Sequence, residues 1–197
     1  MPELLVIGTS HHTAAVAVRE GLALAPEQVH RLLAEVRADP AWDEALLLST
    51  CNRTEFYAVP GPSARADAAA DLLARIGRAR SSAPPAVPDA ALYRRDNRDA
   101  VRHLFRVAAS LDSQIVGESE ILGQVKTAYR QALEARTTGF LLNRLLHRAF
   151  RVLYRSELNT SDAIARVRAE QELTAEVTYL LEFLERIPEG ERGRQLD

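Results

Sequence analysis

Cysteine is almost absent from this chain: Cys51 is the single one in 197 residues. One cysteine cannot close an internal disulfide, so core packing has to hold the fold, as suits a reducing compartment. No apolar run approaches the roughly 20 residues of a membrane span. The opening "MPELLVIGTS" has no basic stretch leading into a long apolar one, so no signal peptide is expected and the location expected is cytoplasmic. Glycine is scarce, at nine residues, and neither G-x-G-x-x-G after a strand nor G-x-x-x-x-G-K-[ST] occurs. That excludes a recognisable dinucleotide or P-loop cradle. No Cys/His cluster has metal spacing, so no metal site is expected. Neither sign of charge dominates: the net formal charge of −2 argues against a globally basic nucleic-acid binder and leaves room for a local basic face. What is present, 47% hydrophobic and 26% charged residues, is the balance of a globular protein able to bury a core.

The pattern along the chain predicts an α+β fold. "ELLVIG" reads as a buried strand ended by Gly8, and Thr9, Ser10 and Thr13 are cap candidates for a short helix closing near Gly21. Pro26 opens a helix whose Val29, Leu32, Leu33 and Val36 share one face, and which stops before Pro40. "EALLLST" and "TEFYAV" read as strands meeting at "CNR". An Ala-rich helix follows the turn residues of "PGPS", "SSAPPAVP" is a loop, and "ALYRR" is an edge strand. The order β-α-β-β-α-β predicts a ferredoxin-like subdomain over residues 1–95.

Residues 96–158 read as a helical subdomain. Val101, Leu104, Phe105 and Ala108 form one apolar stripe, with His103 turned away from it. Ile121, Leu122, Val125, Ala128, Tyr129, Ala132 and Leu133 form a second stripe, and a long helix runs from Phe140 towards Leu158. Residues 159–197 read as a last helix and tail. There Leu173, Val177, Leu180, Leu184 and Ile187 make a short heptad-like seam, an expected docking or homodimer surface.

Cys51 is the candidate nucleophile, because a thiolate beside positive charge is activated and Arg53 is two residues away. The bland alternative is a buried, inert thiol, which its neighbours Thr50, Asn52 and Arg53 argue against. His11 and His12, in a Ser/Thr-rich turn after a strand, are candidate bases, with plain turn chemistry as the alternative. His103, between Arg102 and Arg106, reads on spacing as part of a solvated helix face. "LDSQIVGESEILGQVK" gathers Asp112, Ser113, Glu118, Ser119, Glu120 and Gln124 around two glycines; capping explains much of it, and a helix N-terminus there would suit a polar ligand. Arg144, Arg148, Arg151 and Arg155 share one helical face, which either tracks phosphates or is simply solvated.

Four blocks, "VIGTSHHTAAVAVRE", "LLLSTCNRTEFY", "HLFRVAASLDSQIVGESEILGQVKTAY" and "LLNRLLHRAFRV", resemble the glutamyl-tRNA reductases in family order. The resemblance implies that Cys51 attacks the ester joining glutamate to its tRNA. The resulting thioester would be reduced by NADPH to glutamate-1-semialdehyde, on the C5 route to 5-aminolevulinate and tetrapyrroles. It implies that Thr50 and Arg53 bind the glutamyl group, with Arg53 forking onto its carboxylate. His103 would act as an acid/base or positioning group, and Ser113, Glu118, Glu120 and Gln124 would shape the pocket. The long arginine-faced helix resembles the start of the family's spinal helix. Ala15 stands where the family usually has proline, and Ser110 where it usually has glycine. The sequence after "HRAFRV" departs from the family, and no NADPH site is recognisable. The expectation is a chain that forms or hydrolyses the thioester, with glutamyl-tRNA as partner and hydride, or a downstream aminomutase, supplied separately. The alternative is a non-catalytic regulator that binds charged tRNA or a tetrapyrrole-pathway enzyme through its C-terminal helix.

Overall fold

The computed structural model describes residues 4–64, 67–83, 86–114 and 120–154. The expected helix and seam beyond Asp162, together with Glu118, Ser119 and Arg155, lie outside the described residues. Four strands alternate with helices: β1 (Leu5–Ser10), α1 (Val16–Leu22), α2 (Pro26–Arg37), β2 (Trp42–Ser49), β3 (Arg53–Pro60), α3 (Ala68–Ala79) and β4 (Tyr93–Asp96). Three helices follow: α4 (Asn97–Ala108), α5 (Glu120–Glu134) and α6 (Phe140–Tyr154). The sheet order is β2-β3-β1-β4, every pair antiparallel. That is the ferredoxin-like arrangement expected from the β-α-β-β-α-β order, with β4 at an edge.

The core explains the strands. β1 is buried at all six positions and β3 at seven of eight, so both sheet faces are covered, which is why Leu5–Ile7 and Phe56–Val59 read as apolar runs. On one face Phe56 meets Trp42 edge-on at 5.3 Å, and the Trp42 indole donates to Asp71 of α3. On the other face Tyr57 stacks against His103 of α4. Here the structure corrects the solvated-face reading: His103 is 4% exposed. The buried arc of α4 includes Ala100, His103, Leu104 and Val107, wider than its apolar stripe, because the sheet offers the imidazole a polar partner in Glu55.

Glu44 of β2, buried, reaches the first turn of α6. Its two carboxylate oxygens accept from Leu141 N at 2.8 Å and Leu142 N at 2.7 Å, satisfying two of the N–H groups that a helix start leaves unpaired. Gly139 allows the approach, since a Cβ there would lie 2.7 Å from Glu44 Oε1. The scarcity of glycine shows at the other helix ends. α3, α4 and α5 each close with the paired 6→1 and 5→2 bonds of a Schellman turn, centred on Ser81, Ser110 and Arg136. Those residues have φ of 54°, 62° and 56°, a region that suits glycine.

Two stability outcomes follow. Glu44→Ala should cost about 1–3 kcal/mol by urea unfolding, with Glu44→Gln between it and wild type; an unchanged midpoint would show that the cap contributes nothing. Replacing the exposed Ser81 and Arg136 by glycine should raise stability by roughly 0.5–1 kcal/mol each through relief of the left-handed backbone, and a lower melting temperature would contradict this.

Candidate active site

β2 and β3 are joined by a tight turn with Cys51 and Asn52 at its tip. Thr50 N donates to Arg53 O at 2.8 Å, and the Thr50 hydroxyl accepts from Asn52 N and Arg53 N, both at 3.1 Å. Thr50 therefore holds the turn with its own side chain. The turn sorts its residues by side: Cys51 is exposed, and Arg53, the first residue of β3, is 1% exposed. The turn is also held from outside. Arg19 of α1, itself buried, donates through Nη1 to Cys51 O at 3.0 Å and Asn52 Oδ1 at 2.9 Å. His11 N donates to Asn52 O at 2.9 Å.

Beneath the turn lies a buried polar network. Arg53 Nη1 bonds Glu55 Oε1 at 2.8 Å and Asp112 Oδ2 at 3.1 Å, and Arg53 Nη2 donates to the Asp112 carbonyl oxygen. Glu55 also meets His103 Nε2 at 2.9 Å and accepts from the hydroxyls of Tyr57 and Tyr93. Gly8 makes room for it: in register with Glu55, it would place a Cβ 2.9 Å from the Glu55 Cα and Cγ atoms. Burial alone would raise the Glu55 pKa, yet contact with His103 and Arg53 and the Tyr57 hydroxyl hold it well below the usual carboxylate range. Burial works against the Arg53 charge too, and Glu55 more than offsets it, leaving the guanidinium firmly protonated. Burial, reinforced by the Glu55 charge, pushes both tyrosines up, so they remain hydroxyl donors.

The structure thus brings together Cys51, Thr50, Arg53, His103 and, through Asp112, the start of the 111–126 segment. Arg53 is committed within the chain, forked onto Glu55 and Asp112, where the resemblance implied a substrate carboxylate. Ser113 is buried with its hydroxyl unpartnered; Glu120 is exposed and Gln124 half-buried on the first turns of α5. On α6, Arg144 and Arg151 are exposed and Arg148 half-buried, with the Arg144 guanidinium 5.7 Å from the Phe140 ring centre. Burial, His12 and Arg53 lower the His11 pKa, so its imidazole is neutral at neutral pH.

Sequence reasoning missed Glu55, Tyr57, Tyr93 and Arg19 as members of the site. Alternation along β3 carried a signal, since Arg53, Glu55 and Tyr57 fall on one face, opposite Thr54, Phe56 and Ala58. Among the described residues, the buried side-chain atoms without a partner are His11 Nδ1, Arg19 Nε, Thr54 Oγ1 and Ser113 Oγ. Each belongs to a residue in, beside or bonded to the turn and its network, and buried polar atoms left unpaired mark spare capacity for a polar ligand.

Glu55→Gln leaves the Arg53 charge short of its buried counter-ion and should cost about 3–5 kcal/mol. Because the folded-state pKa of Glu55 is depressed, its contribution is full above the ordinary carboxylate range and is lost as pH falls through that range towards the folded value. Unfolding free energies measured from about pH 6 down to 2.5 should fall more steeply for wild type than for Glu55→Gln, and parallel profiles would contradict the assignment.

Residues 7–160 match the family model described as "Glutamyl-tRNAGlu reductase, N-terminal domain". A second model, "Udp N-acetylglucosamine O-acyltransferase; Domain 2", matches residues 142–194, most of them outside the described residues. Among curated proteins, the glutamyl-tRNA reductase of Geobacter sulfurreducens is 45% identical over 168 residues, spanning 83% of this chain and 37% of that protein. That of Rubrobacter xylanophilus is 47% identical over 150 residues, spanning 76% and 34%. The solved glutamyl-tRNA reductase of Methanopyrus kandleri superposes with a TM-score of 0.59 at 28% identity, covering 94% of this chain and 40% of that one. The chain spans little more than a third of the length of the curated relatives it matches. It belongs to the glutamyl-tRNA reductase family, and what it shares with the family is the N-terminal domain.

Proposed function

We propose that this domain carries out the acyl-accepting step of glutamyl-tRNA reduction, with Cys51 as the nucleophile. The observation that carries the reading is the exposed thiol at the tip of a turn held by Thr50, Arg19 and His11, directly above buried Arg53. The Cys51 sulfur attacks the glutamyl ester carbonyl. A sulfur–carbon bond forms, the carbon–oxygen bond to the terminal ribose breaks, and the ribose oxygen leaves as a hydroxyl after taking a proton. His11, kept neutral by burial and nearby cations, suits the relay of that proton from thiol to ribose.

Ser113 and Arg19, each buried with an unpartnered atom, are assigned to the glutamyl group, with Glu120 and Gln124 at its margin. Arg53 acts from beneath as a fixed charge that shapes the turn. His103, committed to Glu55, is a positioning group that orients the Glu55–Arg53 pair. The described residues do not fit a nicotinamide dinucleotide. The sheet is antiparallel throughout, and Gly8, the glycine inside β1, is packed on Glu55 and cannot face a pyrophosphate. The hydride step of the family is not assigned to them.

Incubating the protein with tRNA carrying labelled glutamate should yield a glutamyl adduct that is sensitive to hydroxylamine and absent in Cys51→Ser. An exposed thiol contributes little to packing, so that variant should melt with wild type. An adduct surviving in Cys51→Ser, or none in wild type, would overturn the reading.

A further inference from the structure

A basic stretch on β4 and α4 matches α6 in net charge. The stretch from Tyr93 to Arg106 holds Arg94, Arg95, Arg98, Arg102 and Arg106 against Asp96 and Asp99, a surplus of three positive charges in a chain whose formal charge is −2. Arg94, Arg95, Arg98 and Arg102 are exposed, and Arg106 is partly so. On α4, Arg98, Arg102 and Arg106 recur every four residues, so about 6 Å of axial rise separates one guanidinium stem from the next along one side of the helix.

Both ends of this stretch are fixed to the site. At its start, Arg95 lies 5.4 Å from the ring centre of Tyr93, whose hydroxyl donates to Glu55. At its end, Arg106 Nη2 lies 3.6 Å from Asp112 Oδ1, and Asp112 holds Arg53, two residues from Cys51. A ladder of cations running up to a nucleophilic turn fits a ligand that is itself a ladder of anions with its reactive group at one end.

We propose that the exposed arginine face of β4 and α4 docks the phosphate backbone of RNA and guides its 3′ end to Cys51. The inference deepens the reading of Cys51 as the acceptor from a charged tRNA and rests on it. It places the RNA on β4 and α4, and the α6 stripe of Arg144, Arg148 and Arg151 becomes secondary. Charge complementarity selects the occupant: regular spacing suits a polyphosphate strand, and the site at the end of the ladder suits an RNA terminus.

The test is binding of fluorescent, uncharged tRNA by anisotropy across a salt series, for wild type, for Arg95→Gln/Arg98→Gln/Arg102→Gln, and for Arg144→Gln/Arg148→Gln/Arg151→Gln. The β4–α4 variant should bind at least tenfold more weakly at low salt, and its slope of log K against log[salt] should be shallower by about 2–3. Its melting temperature should match wild type, because the three side chains are exposed. Its Cys51 should be acylated by a small glutamyl thioester, which carries no phosphate, at the wild-type rate. Wild-type affinity and slope in the β4–α4 variant would overturn the proposal. So would loss of binding confined to the α6 variant, or polyglutamate competing with tRNA at equal charge. Failure of the small thioester to acylate wild-type Cys51, with RNA binding intact, would instead remove the acyl-transfer reading and leave the docking face standing.

Discussion

The ion pair between Arg53 and Glu55 is the constraint around which this domain is organised. Both side chains are removed from water, at 1% and 0% exposure, and a charge so placed is tolerable only with its partner and further hydrogen bonds in position. Those bonds come from four separate elements: Asp112 after α4, His103 within α4, Tyr93 on β4 and Tyr57 on β3. One buried pair thereby fixes how the helical part meets the sheet. A hydrophobic replacement of similar shape would serve stability as well or better. The presence of charges here accordingly argues for positioning, since polar contacts specify geometry in a way that apolar packing does not.

The β2–β3 turn converts that rigidity into a site. A strand alternates its side chains, so the network can hold Arg53 and Glu55 on one face of β3 while the turn before it points Cys51 to solvent. Thr50 closes the turn from within, and Arg19 grips its main chain from α1. A thiol placed in this way keeps little freedom in its backbone although its side chain is open. That combination suits a nucleophile that must meet a large substrate from outside the fold.

Much of the fold was legible because local patterns and the global arrangement agree. Pro26 and Pro40 bracket α2, and the apolar runs of β1 and β3 reflect strands covered on both faces. His103 was misread because helical spacing reports where apolar groups lie, not where a buried carboxylate waits on another element. Glu55 itself lies in a mostly apolar strand, and its partners come from up to 48 residues away in sequence, beyond any local window. The departure at Ser110 was legible as a departure, and its meaning needed the backbone: a left-handed residue closing α4, where glycine fits and serine is tolerated.

Charge follows the same division between what is local and what is assembled. Within the site the cations are consumed: Arg53 by Glu55 and Asp112, and Arg75 by Asp39 and Asp71 in a second buried cluster that ties α3 to the turn after α2. Such pairs hold parts together and present little field to solvent. The arginines of β4 and α4 lie at or near the surface instead, with Arg94 paired to Asp96 and Arg106 beside Asp112. Surface charge of this kind contributes little to folding, where exposed pairs are worth about 1 kcal/mol or less, and much to encounter with a polyanion. Exposed arginines in such positions bear on what approaches the domain more than on how firmly it folds.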